Sequence, residues 1–375
     1  MNKDPRKGFG HGAAVTVIAA LAAFAVAGAA AAEPISIRFG YPGVGSDNRP
    51  FANGDIVAVA HAGHYIEDEF AGDPDIKIEW TFFRGAGPAL NESLASGHLD
   101  FASGLGDLPA IVGRSNGLQT RYLLTDKVRD TIYLAVRPES GIERIEDLAN
   151  HRLSQFKGTN LQLAADRVLA AHGLSERNAK FINLDIGGSL AALTTGSIDG
   201  TFGSVELLTL RDRGIVKIAY STKAEAANFG RHSAIYVTEA FEKQHPELVQ
   251  RVVDAFVKAA RFAADEVNRS AVFELWSKSG YPGAVFAEDF DNERLANRLT
   301  PVIDPYVISR YKDLAARVRE YGLVRKDIDV DSWFEPKYLD AALKAQHLEH
   351  FWPRFDADGG KLTDGEVEKT QVGSR

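Results

Sequence analysis

Asp107 and Glu206 are the residues with the clearest potential for chemistry. Each closes a glycine-rich turn, "GLGD" at 104–107 and "GSVE" at 203–206. Leu94, Gly97 and Asp100 precede the first turn, and Leu193, Gly196 and Asp199 precede the second at the same spacing. Two carboxylates in matching loops suit a general acid and base, or acceptors for an amine or hydroxyl on a ligand. They equally suit local caps of helices and turns. No nucleophile or metal-ligand set accompanies them, so no catalytic residue is assigned.

Other loops have the composition of anion cradles. Gly85-Ala-Gly87, Gly158-Thr159-Asn160 and Gly187-Gly-Ser189 each lead into a helix. A helix start offers unpaired N–H groups and the positive end of the dipole, and glycine admits close approach of a ligand. Ser46, Thr159 and Asn160 add neutral donors. The expectation is a small oxyanion held mainly by neutral dipoles. Several alternatives fail on spacing. The chain has no G-x-x-x-x-G-K-[ST] loop and no G-x-S-x-G elbow, and "GAGPAL" lacks the third glycine of a dinucleotide fingerprint. His61/His64 and His347/His350 lack a third ligand nearby, and "DADGGKLTDGE" reaches Val367 where a calcium loop needs glutamate. Neither a metal nor a cofactor is expected.

The elements that must position these loops follow from periodicity. Ile35, Ile37 and Phe39 alternate with polar residues, as do Ile76, Ile78, Trp80 and Phe82, so both stretches are strands. Pro88 suits a helix start, and Gly97 suits a left-handed helix stop. The order strand, loop, helix, turn, strand recurs after residue 150, with Asn160 expected as an N-cap. Leu248, Val249, Val252, Val253, Phe256, Val257 and Ala260 form one face of a long helix that starts near Pro246. Further helices are expected over 304–321 and 336–345. The fold class is therefore α/β, with two lobes, each an open, mostly parallel sheet with helices on both faces. A chain of 375 residues has the length for two such lobes.

The N-terminus reads as an export signal. Lys3, Arg6 and Lys7 precede an apolar run from Ala13 to Val26, and Ala30-Ala31-Ala32 gives a small-residue cleavage site before Glu33. Residues 1–32 are thus expected to be removed, which places the mature chain in the periplasm. There are no cysteines, so disulfides, thiolate chemistry and a lipid-modified cysteine are excluded. A net charge of −8 argues against nucleic acid and anionic membrane surfaces as partners. Residues 353–375 are polar and are expected to form a disordered tail.

These residues resemble the periplasmic substrate-binding proteins of ABC importers, in the sulfonate/taurine/nitrate branch. The likeness rests on Glu79-Trp80, Phe82, Gly85 to Glu92, Gly97, Leu99-Asp100, Gly106 to Pro109, Lys157 to Asn160 and the helix from His245 to Ala255. The resemblance implies a two-lobed fold with two crossovers that closes on its ligand. The expected lobes are 33–128 with 238–352, and 129–237. It also implies ligand contacts at Ser46, Asp47, Gly85, Gly87, Asp107, Thr159, Asn160, Glu206, Arg231 and His232. The expected ligand is a small organic anion, sulfonate-like, delivered by a monomer to an inner-membrane ABC permease. An alternative is an enzyme on the same scaffold, desulfinase-like or resembling a pyrimidine-precursor synthase. "WFEPKYLDAALK" resembles the end of a sulfinate desulfinase, an enzyme type that uses a cysteine this chain lacks.

Overall fold

The computed structural model describes residues 34–363 and Gly365, so the segment 1–32, expected to be an export signal, lies outside the described residues. Ten strands are described: β1 (Ile35–Tyr41), β2 (Ile76–Phe82), β3 (Phe101–Gly106), β4 (Thr120–Asp130), β5 (Tyr133–Val136), β6 (Arg152–Gln155), β7 (Lys180–Asn183), β8 (Gly200–Gly203), β9 (Lys217–Ser221) and β10 (Arg231–Thr238). They form two five-stranded sheets, ordered β2-β1-β3-β10-β4 and β7-β6-β8-β5-β9. The chain therefore crosses between the sheets twice, at Thr131–Ile132 and again between Ser221 and Arg231.

Two expectations need correction here. The sheets are mixed rather than mostly parallel, because β10 runs antiparallel to β3 and β4, and β5 antiparallel to β8 and β9. The return to the first half also comes earlier than residue 237. Arg231–Thr238 already pairs along β4 in the first sheet.

The repeated Leu-x-x-Gly-x-x-Asp has a common structural purpose. In the first half, Asp100 accepts the backbone N–H of Arg38 at 2.9 Å and its Nη2 at 2.6 Å, while Arg38 Nη1 donates to Gly97 O at 2.7 Å. In the second half, Asp199 accepts the N–H of Arg152 at 2.9 Å and its Nη2 at 2.7 Å, while the same guanidinium donates to Gly196 O at 3.2 Å. Each aspartate fastens the turn after a helix to the neighbouring parallel strand. Both glycines adopt positive φ, 73° and 74°, which favours glycine.

The first half has the heavier core. Ile37, Phe39 and Phe101 are fully buried, and Phe39 stacks between Trp80 and Phe101. The helix Pro246–Ala264 covers them with the apolar face expected for it. The second half rests on a smaller cluster that includes Leu134, Leu153, Val168 and Phe202. The expected tail is placed as far as Thr363. Phe355 is buried, its N–H donates to Asp304 at 2.9 Å, and Arg129 lies 3.8 Å from its ring centroid. Apolar Trp352 and Phe355 anchor a stretch that composition marked as disordered; the remainder lies outside the described residues.

Candidate ligand-binding cleft

A cavity of about 150 Å³ lies between the two sheets, and a second space of about 650 Å³ borders it. Thr159, Asn160, Arg231 and Tyr281 line both. The site lies beyond the carboxyl ends of β1, β3 and β8, where open α/β sheets carry ligands. The two halves touch across it. Arg84 pairs with Asp185 at 2.6 Å, a Cβ on Gly158 would lie 2.9 Å from Pro88, and one on Gly106 would lie 2.6 Å from Asn160 Cγ.

The wall carries formal charge, contrary to the expectation of mainly neutral dipoles. Asp130 is buried and meets three cations: Lys127 at 3.1 Å, Arg298 at 2.8 Å, and Arg231 in direct contact. Burial opposes its ionisation, but Arg231, Lys127 and Arg298 outweigh that and hold it well below the usual carboxylate range. Arg298, 1% exposed, also pairs with Asp289 at 2.7 Å. Tyr133, on β5, donates to the same aspartate at 2.7 Å. This knot lies beside both crossovers.

A second group of carboxylates sits at the start of the helix Ile56–Ala62. Asp55 accepts from Tyr41 Oη and from Ala58 N–H, both at 2.7 Å. Asp126 accepts from Val57 N–H at 3.0 Å and from Ser233 Oγ at 2.7 Å. Burial, with Asp126 nearby, pushes the Asp55 carboxyl up to about 8, and burial likewise raises Asp126. Asp55 lines the cavity, so burial lowers the tendency of its carboxyl to present a negative charge there.

Of the ten expected residues, the inner cavity brings together Gly87, Thr159, Asn160, Glu206, Arg231 and His232. Ser46 and Asp47 line only the outer space, and Gly85 and Asp107 line neither. Asp107 is buried and accepts from Leu108 N–H at 2.7 Å; burial pushes it up to about 7. Glu206 accepts from Ser204 N–H at 2.7 Å and is also raised by burial. Both carboxylates thus cap their own turns, and the longer arm of Glu206 still reaches the cavity wall.

The expected cradles are partly occupied by their own caps. Thr159, not Asn160, is the N-cap of the helix Asn160–Ala171 and accepts from Gln162 N–H at 3.4 Å. Asn160 Nδ2 instead donates to His232 O at 3.3 Å. Asp185 caps the helix Ile186–Thr195 through Gly188 N–H at 2.7 Å. Only the start of the helix Ala86–Ala95 has no side-chain cap among these three. Lys127, Asp130, Asp55 and Tyr41 were not anticipated. Tyr41 and Asp55 flank the long loop 42–54, whereas Lys127 and Asp130 come from the end of β4, where the signal available was the charge alternation in "TDKVRD" at 125–130.

A family model described as NMT1/THI5 like matches residues 81–268, half of the chain. The chain belongs to that family. Among solved structures, this NMT1/THI5-like chain is similar to the periplasmic sulfonate-binding protein SsuA from Methylobacillus flagellatus KT. That likeness has 26% identity and a TM-score of 0.72, covering 86% of this chain and 98% of that one. The alkanesulfonate-binding protein SsuA from Xanthomonas axonopodis pv. citri, bound to MOPS, matches at 22% identity and a TM-score of 0.68, covering 82% and 100%. A curated relative, the 2'-hydroxybiphenyl-2-sulfinate desulfinase of Rhodococcus erythropolis, is 26% identical over 163 residues. The match spans 42% of this chain and 42% of that relative's length. The two-lobed α/β fold expected from sequence agrees with these likenesses.

Proposed function

We propose that this NMT1/THI5-like protein is the solute-binding component of an ABC importer. It captures a small organic anion of the sulfonate class between its halves and delivers it to an inner-membrane permease. The observation that carries the reading is the wall of the inner cavity. Lys127 and Arg231 line it and share the carboxylate of Asp130, which also meets Arg298, itself paired with Asp289. Arg231 supplies a planar fork for an oxyanion and Lys127 a compact charge. Burial disfavours the ionised form of Asp55, which lessens the negative charge facing the ligand. Contacts to both halves at once would shift the population toward the closed arrangement.

The structural likeness to sulfonate-binding proteins over nearly their whole length supports capture rather than turnover. The desulfinase-like alternative draws on a relative matched over 42% of its length, and the chain has no cysteine to act as nucleophile. Among the described residues no helix is long and apolar enough to cross a membrane. We further propose that the segment 1–32 directs export to the periplasm, and that the mature protein works as a monomer without a cofactor.

Thermal unfolding against a panel of sulfonates, sulfate esters, carboxylates and nitrate tests this reading. A true ligand at 100 times its Kd adds about 2.7 kcal/mol of stability. Arg231→Ala and Lys127→Ala should each abolish the response. A flat response to every anion, or full response in both variants, would overturn the proposal.

A further inference from the structure

His232 is 2% exposed, and neither of its ring nitrogens has a partner among the described residues. Buried polar groups are normally paired, because an unmet donor or acceptor is costly. Its ring lies 5.6 Å from that of Tyr306, centroid to centroid. Three guanidiniums gather around the same place. Arg129 lies 4.7 Å from the Tyr306 centroid and Arg310 lies 5.8 Å from it. Arg167, on the helix Asn160–Ala171, stands within electrostatic reach of both His232 and Arg310. The buried Nε atoms of Arg129 and Arg310 have no partner among the described residues.

The neighbouring carboxylates are largely committed elsewhere. Asp313 pairs with Arg317 at 2.9 Å. Asp304 caps its own helix and accepts from Phe355 N–H. Asp130 is shared among Lys127, Arg231 and Arg298. Asp107 remains, and it is bound to Leu108 N–H. Arg167 is buried and Arg129 and Arg310 are half-buried, so their charges are only partly screened by water, and a tetrahedral oxyanion is the ligand their forks fit.

We propose that Arg129, Arg167, Arg310 and His232 form a second anion site, which borders the cleft through His232, for a small inorganic oxyanion of the sulfate or phosphate class. His232 donates a ring N–H to it. Arg167 comes from the second half, whereas Arg129 and His232 belong to strands of the first sheet and Arg310 to the helix Pro305–Glu320 packed on it. The bound anion therefore ties the halves together, whatever the cleft itself captures.

The test uses the full mature chain, with sodium sulfate and sodium phosphate as probes against sodium chloride at equal ionic strength. The readouts are the melting temperature and the His232 ring signals by NMR, assigned with His232→Gln. Either oxyanion should shift those signals saturably and raise the melting temperature, in the wild type and in the cleft variant Lys127→Gln. Arg167→Gln combined with Arg310→Gln should lose both responses. Without oxyanion that double variant should melt as high as the wild type or higher, since repulsion has been removed. If it does not fold, the His232 signals of Arg310→Gln alone decide the matter. An equal response in the arginine variants, a response lost in Lys127→Gln, or a His232 signal unmoved by either probe would overturn the proposal.

Discussion

The two halves carry the same fastening and put it to unequal use. In each, an arginine on a parallel strand grips the aspartate and the glycine carbonyl of the turn after a helix. In the first half Asp100 is buried, the neighbouring β3 is buried throughout, and Thr238 N–H donates to Asp100 O at 2.9 Å. In the second half β8 is buried as fully, but the Asp199 side chain is more exposed, 17% against 7% for Asp100, and its partner Arg152 borders the largely exposed edge strand β7. Past the clamp the halves diverge. Gly106 faces Asn160 of the opposite half, whereas Gly203 faces Glu206 and Leu207 of its own. A shared motif thus reports scaffold, and the proposed ligand cleft is lined where the copies stop matching.

The largest effect should come from the charged knot, which has no counterpart in either copy of the motif. Asp130→Asn leaves buried cations short of a partner and should cost about 3–5 kcal/mol in chemical denaturation. Next come the clamps. Asp100→Ala should cost about 2 kcal/mol, the range for hydrogen bonds to a charged group, and Asp199→Ala distinctly less. Equal losses would mean that burial does not separate the halves. Gly106→Ala should weaken cleft binding about tenfold, or about 1.4 kcal/mol, with the melting temperature nearly unchanged. Gly203→Ala should do the reverse, and a matched pair of outcomes would dissolve the distinction. The dependence on pH tests the cavity carboxylates and stands outside this order. The Asp55 carboxyl stands at about 8 when folded, against about 3.9 unfolded. Its contribution to stability is full below about 4 and is lost as pH rises through about 8. Melting temperatures of wild type should therefore fall between about pH 4 and pH 8, and those of Asp55→Asn should fall less.

Much of the fold was legible because it rests on local signals. The alternation in β1 and β2, the apolar face of Pro246–Ala264 and the glycine stops at 97 and 196 all appear where periodicity put them. Strand direction was not legible, since β5 and β10 gain their antiparallel partners only through the crossovers. The cleft was half legible. Glycine-rich loops pointed to Gly87, Thr159 and Asn160, yet the Thr159 hydroxyl is taken by nearby Phe156 O and the Asn160 amide by His232 O of the opposite half. Lys127 and Asp130 acquire meaning only when Arg298, 168 residues from Asp130, is folded against them. Asp107 looked like a ligand contact because its loop matches that of Glu206, but its shorter arm turns back onto its own helix.

The placement of the ion pairs sets how the molecule would feel salt. Asp130 and Arg298 are sealed from solvent at the crossovers, while Arg84, whose side chain is 61% exposed, meets Asp185 at the mouth. Dissolved ions weaken the second kind of contact far more than the first. In brine the rim of this trap would loosen while its pivot kept its set, so capture and release would respond to the surroundings at the lips and not at the joint.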